Sequence, residues 1–131
     1  MQYGTGNLSL LVGLGAAIDF HRQIGSARVE QRIRSLADRL RAGLAEIPGA
    51  TIASPTHPEL ACATTVYRLG GWTGAQMQDT LWDQARIRVR NVGDEVGVRH
   101  GCHIYNAPGE VDRTLALLRE MSRRMPAPPT G

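Results

Sequence analysis

The distribution of apolar and polar positions divides the chain into helical and strand-like stretches. From Leu8 to about Ile24 the residues are apolar or small on nearly every side, with Gly13, Gly15, Ala16 and Ala17 forming a face suited to close packing. A helix of this kind is expected to be buried on several sides. A chain of 131 residues has little to bury it with, so the pattern points to a missing partner. Whatever the second helix and the sheet leave uncovered should be an apolar strip drawn from Leu8, Leu11, Val12 and Phe20. The run to Phe20 contains Ser9 and Asp19 and is too short to span a bilayer. The next pattern is different. Val29, Ile33, Leu36, Leu40, Leu44 and Ile47 recur at three- and four-residue steps, which predicts an amphipathic helix from Ser26 to about Ile47, ended by Pro48-Gly49. Arg28, Arg32, Arg34, Arg39 and Arg41 cover the remainder and read as a solvated face.

The later segments are shorter. Thr51–Ser54 and Ala61–Leu69 have strand composition, and Gly70-Gly71 turns the chain. Thr73-Gly74-Ala75-Gln76 has the form of a capping box, so a helix should follow to about Ala85 and bury Met77, Leu81 and Trp82. In the next strand Ile87, Val89 and Asn91 alternate with Arg86, Arg88 and Arg90. Three arginines on one face repel one another unless solvent or an anion lies against them. Gly93-Asp94 makes a turn. Asn106 is the expected cap of a last helix, with Pro108 in its first turn and Val111, Leu115, Leu118 and Met121 as its buried stripe. Glu110 and Asp112 complement its N-terminal dipole.

Between these elements lies the stretch Val96 to Asn106. Read as a strand, it places Val96, Val98, His100 and Cys102 on one face and Gly97, Arg99, Gly101 and His103 on the other. Arg99 then sits between two residues without side chains. A strand arginine with room beside it can grip a carboxylate or phosphate through two parallel hydrogen bonds. The plainer alternative is an edge arginine paired with a surface carboxylate.

Composition narrows the chemistry. Net charge is +3 and aromatics are only 5%, so the dense basic and aromatic patch of a nucleic-acid binder is missing. Cys62 and Cys102 read as free thiols of a reducing compartment, which makes a cytoplasmic location the expectation. There is no lysine; all 15 basic residues are arginine, which excludes lysine nucleophiles within this chain. His100, Cys102 and His103 lack the spacing of a closed zinc site, and no metal is expected. The lead Tyr3-Gly4-Thr5-Gly6-Asn7 brings glycines, a hydroxyl and an N-cap residue to the start of the first helix. It is either an anion site or a simple capping turn. It completes neither a Walker loop nor G-x-G-x-x-G, since the sixth position is Ser9.

Taken together, these residues carry a resemblance. Tyr3-Gly4-Thr5-Gly6-Asn7 followed by Leu14-Gly15-Ala16-Ala17-Ile18-Asp19-Phe20 resembles the stretch after the cofactor lysine in class V aminotransferase-type enzymes, which include isopenicillin-N-epimerase-like and cysteine-desulfurase-like proteins. Ile87-Arg88-Val89-Arg90 is similar to a strand of that family, and Arg99, Tyr105-Asn106 and Glu110-Val111-Asp112 resemble its C-terminal motif. The resemblance runs to about Arg124. It implies an α+β fold, two long N-terminal helices followed by a small, mainly antiparallel sheet with helices on one face. This is the small domain of fold-type I pyridoxal 5′-phosphate enzymes. It implies an inter-domain helix with a phosphate-contacting lead at residues 1–25, the small domain at 26–125 and a disordered tail at 126–131.

The resemblance further implies pyridoxal 5′-phosphate as cofactor, held by a lysine of a large domain that is not in this chain. It implies a homodimer and a small amino-acid substrate whose α-carboxylate Arg99 grips. Thr5, with Gly4 and Asn7, would reach the cofactor phosphate of the neighbouring subunit. No residue of this chain is expected to be catalytic, and the chain should be inactive alone. The loop Asn91-Val92-Gly93-Asp94-Glu95 lacks the sulfur-accepting cysteine of the closest desulfurases, which favours an epimerase, aminotransferase or C–S lyase type of parent. The alternative is a non-catalytic interaction domain that has kept the scaffold.

Overall fold

The structure is a computed structural model and describes residues 7–124. Gly4, Thr5 and the proline-rich tail lie outside the described residues. Four helices and four strands follow in the order α1 (Leu8–Ile24), α2 (Ser26–Ala45), β1 (Ala50–Ile52), β2 (Thr64–Leu69), α3 (Gly74–Ala85), β3 (Arg90–Asn91), β4 (Val98–Gly101) and α4 (Pro108–Ser122). All strand pairs are antiparallel, in the spatial order β1-β2-β4-β3. This is the expected α+β fold.

The amphipathic stripe of α2 explains the core. Leu36, Leu40 and Leu44 are buried with Tyr67, Leu69 and Val98 from the sheet, Met77 and Leu81 from α3, and Leu115, Leu118 and Met121 from α4. These helices cover one face of the sheet. Along β2 the residues Thr65, Tyr67 and Leu69 point inward and are buried, whereas Arg68 is exposed. The α2–α4 packing is tight enough that a Cβ at Gly43 would overlap the Leu115 side chain.

Several local expectations are corrected. α1 buries no residue. It begins at Asn7, whose Oδ1 accepts from the Leu10 N–H at 3.2 Å, and packs against α2 alone among the well-contacted elements. Leu8, Leu11, Val12 and Phe20 are all exposed, Leu8 at 72%. Among the described elements only α2 packs closely on this helix, so the leftover strip is a whole helix face. Of the α2 arginines, Arg28 and Arg39 are exposed as expected, but the set is not simply solvated. Arg41 is buried; it donates to the Cys62 carbonyl and to Asp38 Oδ1. Arg34 donates to the carbonyls of Pro58 (3.0 Å) and Ala61 (3.3 Å), and Arg32 to that of Asn106 (2.8 Å). Arg39 grips Asp112 of α4 through two bonds of 2.6 and 2.9 Å. These guanidiniums fasten irregular segments and α4 to α2, work that a carbonyl-rich loop demands of nearby donors.

Asn106 does not cap α4. Ala107 does, and Glu110 reaches back to its N–H at 2.8 Å, while Asn106 Oδ1 accepts from the His103 N–H and its amide donates to Glu110. These bonds hold the Glu110 carboxyl below its usual range. The capping box at Thr73 is present as expected, with both reciprocal bonds.

Candidate functional site: the open face of the sheet

The face of the sheet that no helix covers is where the chemistry-bearing residues collect. Antiparallel pairing sets Arg99 of β4 opposite Arg90 of β3 on one side and Val66 of β2 on the other. Directly paired residues share a face. Arg88 lies two residues before Arg90, and the alternation of buried Ile87 and Val89 with exposed Arg88 and Arg90 puts it on that face too. Arg88, Arg90 and Arg99 line one depression of about 420 Å³ with Thr64, Gln78 and Gly101. Among the described residues none of the three forms an ion pair. The plainer reading of Arg99, an arginine consumed by a surface carboxylate, therefore does not hold.

The β3–β4 hairpin that carries these arginines is fixed to the start of α3. Asp94 Oδ1 accepts from the Ala75 N–H at 3.0 Å and from the Asn91 amide at 3.2 Å, and the Asp94 carbonyl accepts from the Gly74 N–H. Gln78 Oε1 accepts from the Asn91 N–H at 2.9 Å. Gly74 is required at this joint, since a Cβ would overlap Asn91 and crowd the carbonyls of Gly93 and Gly97. The loop in which desulfurases were expected to carry a cysteine thus serves as the docking joint of the hairpin.

The stretch predicted as one strand from Val96 to Asn106 is a strand only over Val98–Gly101. Val98 and Cys102 face inward, and Arg99 outward, as the alternation predicted. Val96 departs from it and is exposed. The break is Gly97, with φ +104°. Its missing side chain does not clear space for a ligand; a Cβ there would overlap the Tyr67 carbonyl. Gly101 does leave space, for nothing lies within 4 Å of where its Cβ would be.

The face of the sheet opposite Arg99 packs against the core. Tyr67 is fully buried, its hydroxyl 3.5 Å from His100 Nδ1. Burial lowers the His100 pKa to about 4 and raises those of Tyr67 and Cys102. All three are neutral at pH 7, so no counter-charge from below quenches the arginines. A second depression of about 350 Å³ adjoins the first, shares Arg88 and Gly101 with it, and continues to His100, Tyr105, Arg113 and the Glu110 carboxylate.

Sequence reasoning missed two features of this face. Trp82 is not buried: Arg88 lies 4.2 Å and Arg86 5.2 Å from its ring centre, a double cation–π stack. Arg86 is not a strand residue either; it caps α3 in the left-handed region at φ +55°. The Arg–Trp spacing held the signal for the stack, since a tryptophan four and six residues before arginines invites it. Thr64 and Gln78 carried no signal at all, because only the fold brings them to Arg99. Asn7, the described member of the expected phosphate group, is exposed at the start of α1 and does not line the Arg99 depression. No cluster of His, Cys, Asp or Glu among the described residues could hold a metal. No described helix is long and apolar enough to cross a membrane.

Comparison with known proteins then decides the family. The aminotransferase class-V family matches residues 1–114. The chain belongs to that family. It is 36% identical over 123 residues to isopenicillin N epimerase of Amycolatopsis lactamdurans, a match covering 92% of this chain and 31% of that protein. Against isopenicillin N epimerase of Streptomyces clavuligerus it is 31% identical, over 84% of this chain and 28% of that protein. The chain therefore spans about a third of the length of these relatives. In fold it is similar to a cysteine desulfurase from Thermococcus onnurineus NA1, with a TM-score of 0.83, 24% identity and coverage of 93% of this chain and 33% of that one. A cystine C–S lyase variant with glycine covalently linked to its pyridoxal phosphate aligns with a TM-score of 0.64, 26% identity and coverage of 82% and 28%.

Proposed function

We propose that this chain is the small-domain portion of a pyridoxal 5′-phosphate enzyme, in which Arg99 binds the α-carboxylate of an amino-acid substrate. The observation that carries the reading is Arg99 itself: exposed on an open sheet face, without an ion pair among the described residues, beside the empty space at Gly101. A planar fork held on a strand fits a carboxylate. The residues present fit the cofactor only in part. With no lysine, the chain cannot supply a covalent anchor. At the start of α1, Asn7 caps the helix N-terminus and no acidic residue stands in the first turn, which suits a phosphate. Gly4, Thr5 and Asn7 are the proposed phosphate contacts, made to the neighbouring subunit of a homodimer. When bound, the cofactor withdraws electrons from the substrate α-carbon. The part of this chain is to bind and orient the substrate.

On this reading residues 1–25 form an inter-domain helix and 26–125 the small domain, working with a large domain that supplies the lysine. The exposed apolar face of α1 supports such a neighbour. The epimerase relatives, together with a hairpin loop that carries no cysteine, favour epimerase-like chemistry over sulfur transfer. The test is Arg99→Ala in the assembled enzyme. It should lower kcat/KM by the equivalent of about 2–5 kcal/mol, the cost of removing one partner of a desolvated charge pair. Cofactor retention should stay nearly constant. A variant that loses cofactor yet keeps substrate affinity would show that the assignment is wrong.

A further inference from the structure

The open face holds more positive charge than one carboxylate can use. A carboxylate gripped bidentately by Arg99 is satisfied by one guanidinium fork. Yet Arg90 stands directly across the strand pair from Arg99, and Arg88 projects into the same depression. Like charges placed opposite each other on adjacent strands are destabilising. No ion pair relieves them among the described residues: Arg90 and Arg88 have none, and the Glu110 carboxylate, which lines the adjoining depression with Arg88, is bonded to Asn106 and Ala107. Asp79 lines a neighbouring depression with Arg88 without forming an ion pair to it. Arg88 is kept in place by stacking on Trp82, which leaves the guanidinium edge free to donate.

We infer that Arg90 and Arg88 form a subsite for a second carboxylate, so that the substrate is an amino acid with an acidic side chain. This rests on the reading of Arg99 as the α-carboxylate contact. Arg88 and Arg90 are roughly 7 Å apart along an extended backbone. The second carboxylate therefore has a choice of two forks at different reach, and the adjoining depression at Gly101 leaves room for a longer side chain. The two arginines discriminate between substrates; they are specificity residues and touch no reacting atom.

Glutamate and its isosteric amide glutamine separate the second carboxylate from everything else. Both are titrated into the assembled enzyme while the arginine Nε–H signals of this chain are followed by NMR. Glutamate should bind about tenfold more tightly than glutamine, the worth of one charge-assisted hydrogen-bonded pair. Arg90→Gln or Arg88→Gln should shrink that ratio, and the double variant should bring it near one. Arg99→Gln should weaken both ligands and preserve the ratio. A ratio near one in the unaltered chain overturns the subsite, as does a ratio that survives the double variant. Inorganic phosphate at matched ionic strength binding as tightly as glutamate overturns it too, in favour of generic anion attraction. So does the absence of any arginine shift at the highest soluble glutamate concentration. If instead Arg99→Gln leaves glutamine affinity unchanged, the reading of Arg99 fails, whatever the ratio shows.

Discussion

α1 and α2 are consecutive helices of 17 and 20 residues, separated only by Gly25. One buries nothing; the other buries Leu36, Ala37, Leu40, Arg41, Gly43 and Leu44. The difference is not in apolar content, which is greater in α1, but in its arrangement. α2 confines its leucines to one stripe and meets the sheet and α4 along it. α1 spreads them around its circumference, and among the described elements only α2 packs closely on them, leaving the rest exposed. Hydrophobic burial cannot stabilise side chains that stay in water. α1 is thus held by its cap and by helix propensity, which are marginal at this length.

The largest effect that separates the two helices is truncation of matched leucines. Leu40 is fully buried and Leu11 is 60% exposed. Leu40→Ala should lower the unfolding free energy by about 2–5 kcal/mol, whereas Leu11→Ala should change it by less than about 0.5 kcal/mol. Urea denaturation of both variants measures this. Equal losses would mean that α1 is buried after all.

The next effect belongs only to the unit that α2 anchors. The His100 pKa is about 4 in the folded chain against an ordinary 6.5, because burial disfavours the charged ring. As pH falls below 6.5 the unfolded chain takes up this proton first, so stability is present above that value and drains away between 6.5 and about 4. The loss is at most about 3 kcal/mol. Urea midpoints between pH 7 and pH 4 should fall accordingly, and His100→Gln should flatten the curve across that window. A His100→Gln curve as steep as that of the unaltered chain would place the titration elsewhere.

The smallest effect in energy concerns association. If the α1 face seeks a partner, the chain alone should self-associate at high concentration, and Leu11→Glu should reduce it in sedimentation experiments. A monomer indifferent to that substitution, with slow amide exchange throughout α1, would erase the contrast between the helices and remove the main support for a neighbouring domain.

Much of this could be read in the sequence because it is periodic. The stripes of α2 and α4 and the capping box of α3 depend on residues three or four apart, and the chain states those spacings outright. The faces of β4 followed from alternation for the same reason, so Arg99 was found. What failed depended on distant neighbours. Gly97 was read as space for a ligand, but it accommodates the Tyr67 backbone, some thirty positions earlier in the chain. Arg41 was assigned to solvent; the loop at Cys62 needed a donor and took it inside. Trp82 was assigned to the core, where Met77 and Leu81 already fill the face of α3. Asn106 has the composition of a cap, yet Glu110 and Ala107 close the helix and leave its side chain to hold His103. In each case the local preference was satisfied in more than one way, and tertiary contacts chose.

The stack of Arg88 and Arg86 on Trp82 has an optical consequence. Indole emission responds to charges over its ring, and Trp82 has two. The other tryptophan, Trp72, donates its ring N–H to the Met121 carbonyl at 3.3 Å and lines neither arginine depression. An anion that engages the free edge of the Arg88 guanidinium would change the charge over one emitter and spare the other. The arginine face therefore carries its own fluorophore, reporting occupancy by colour without any added label.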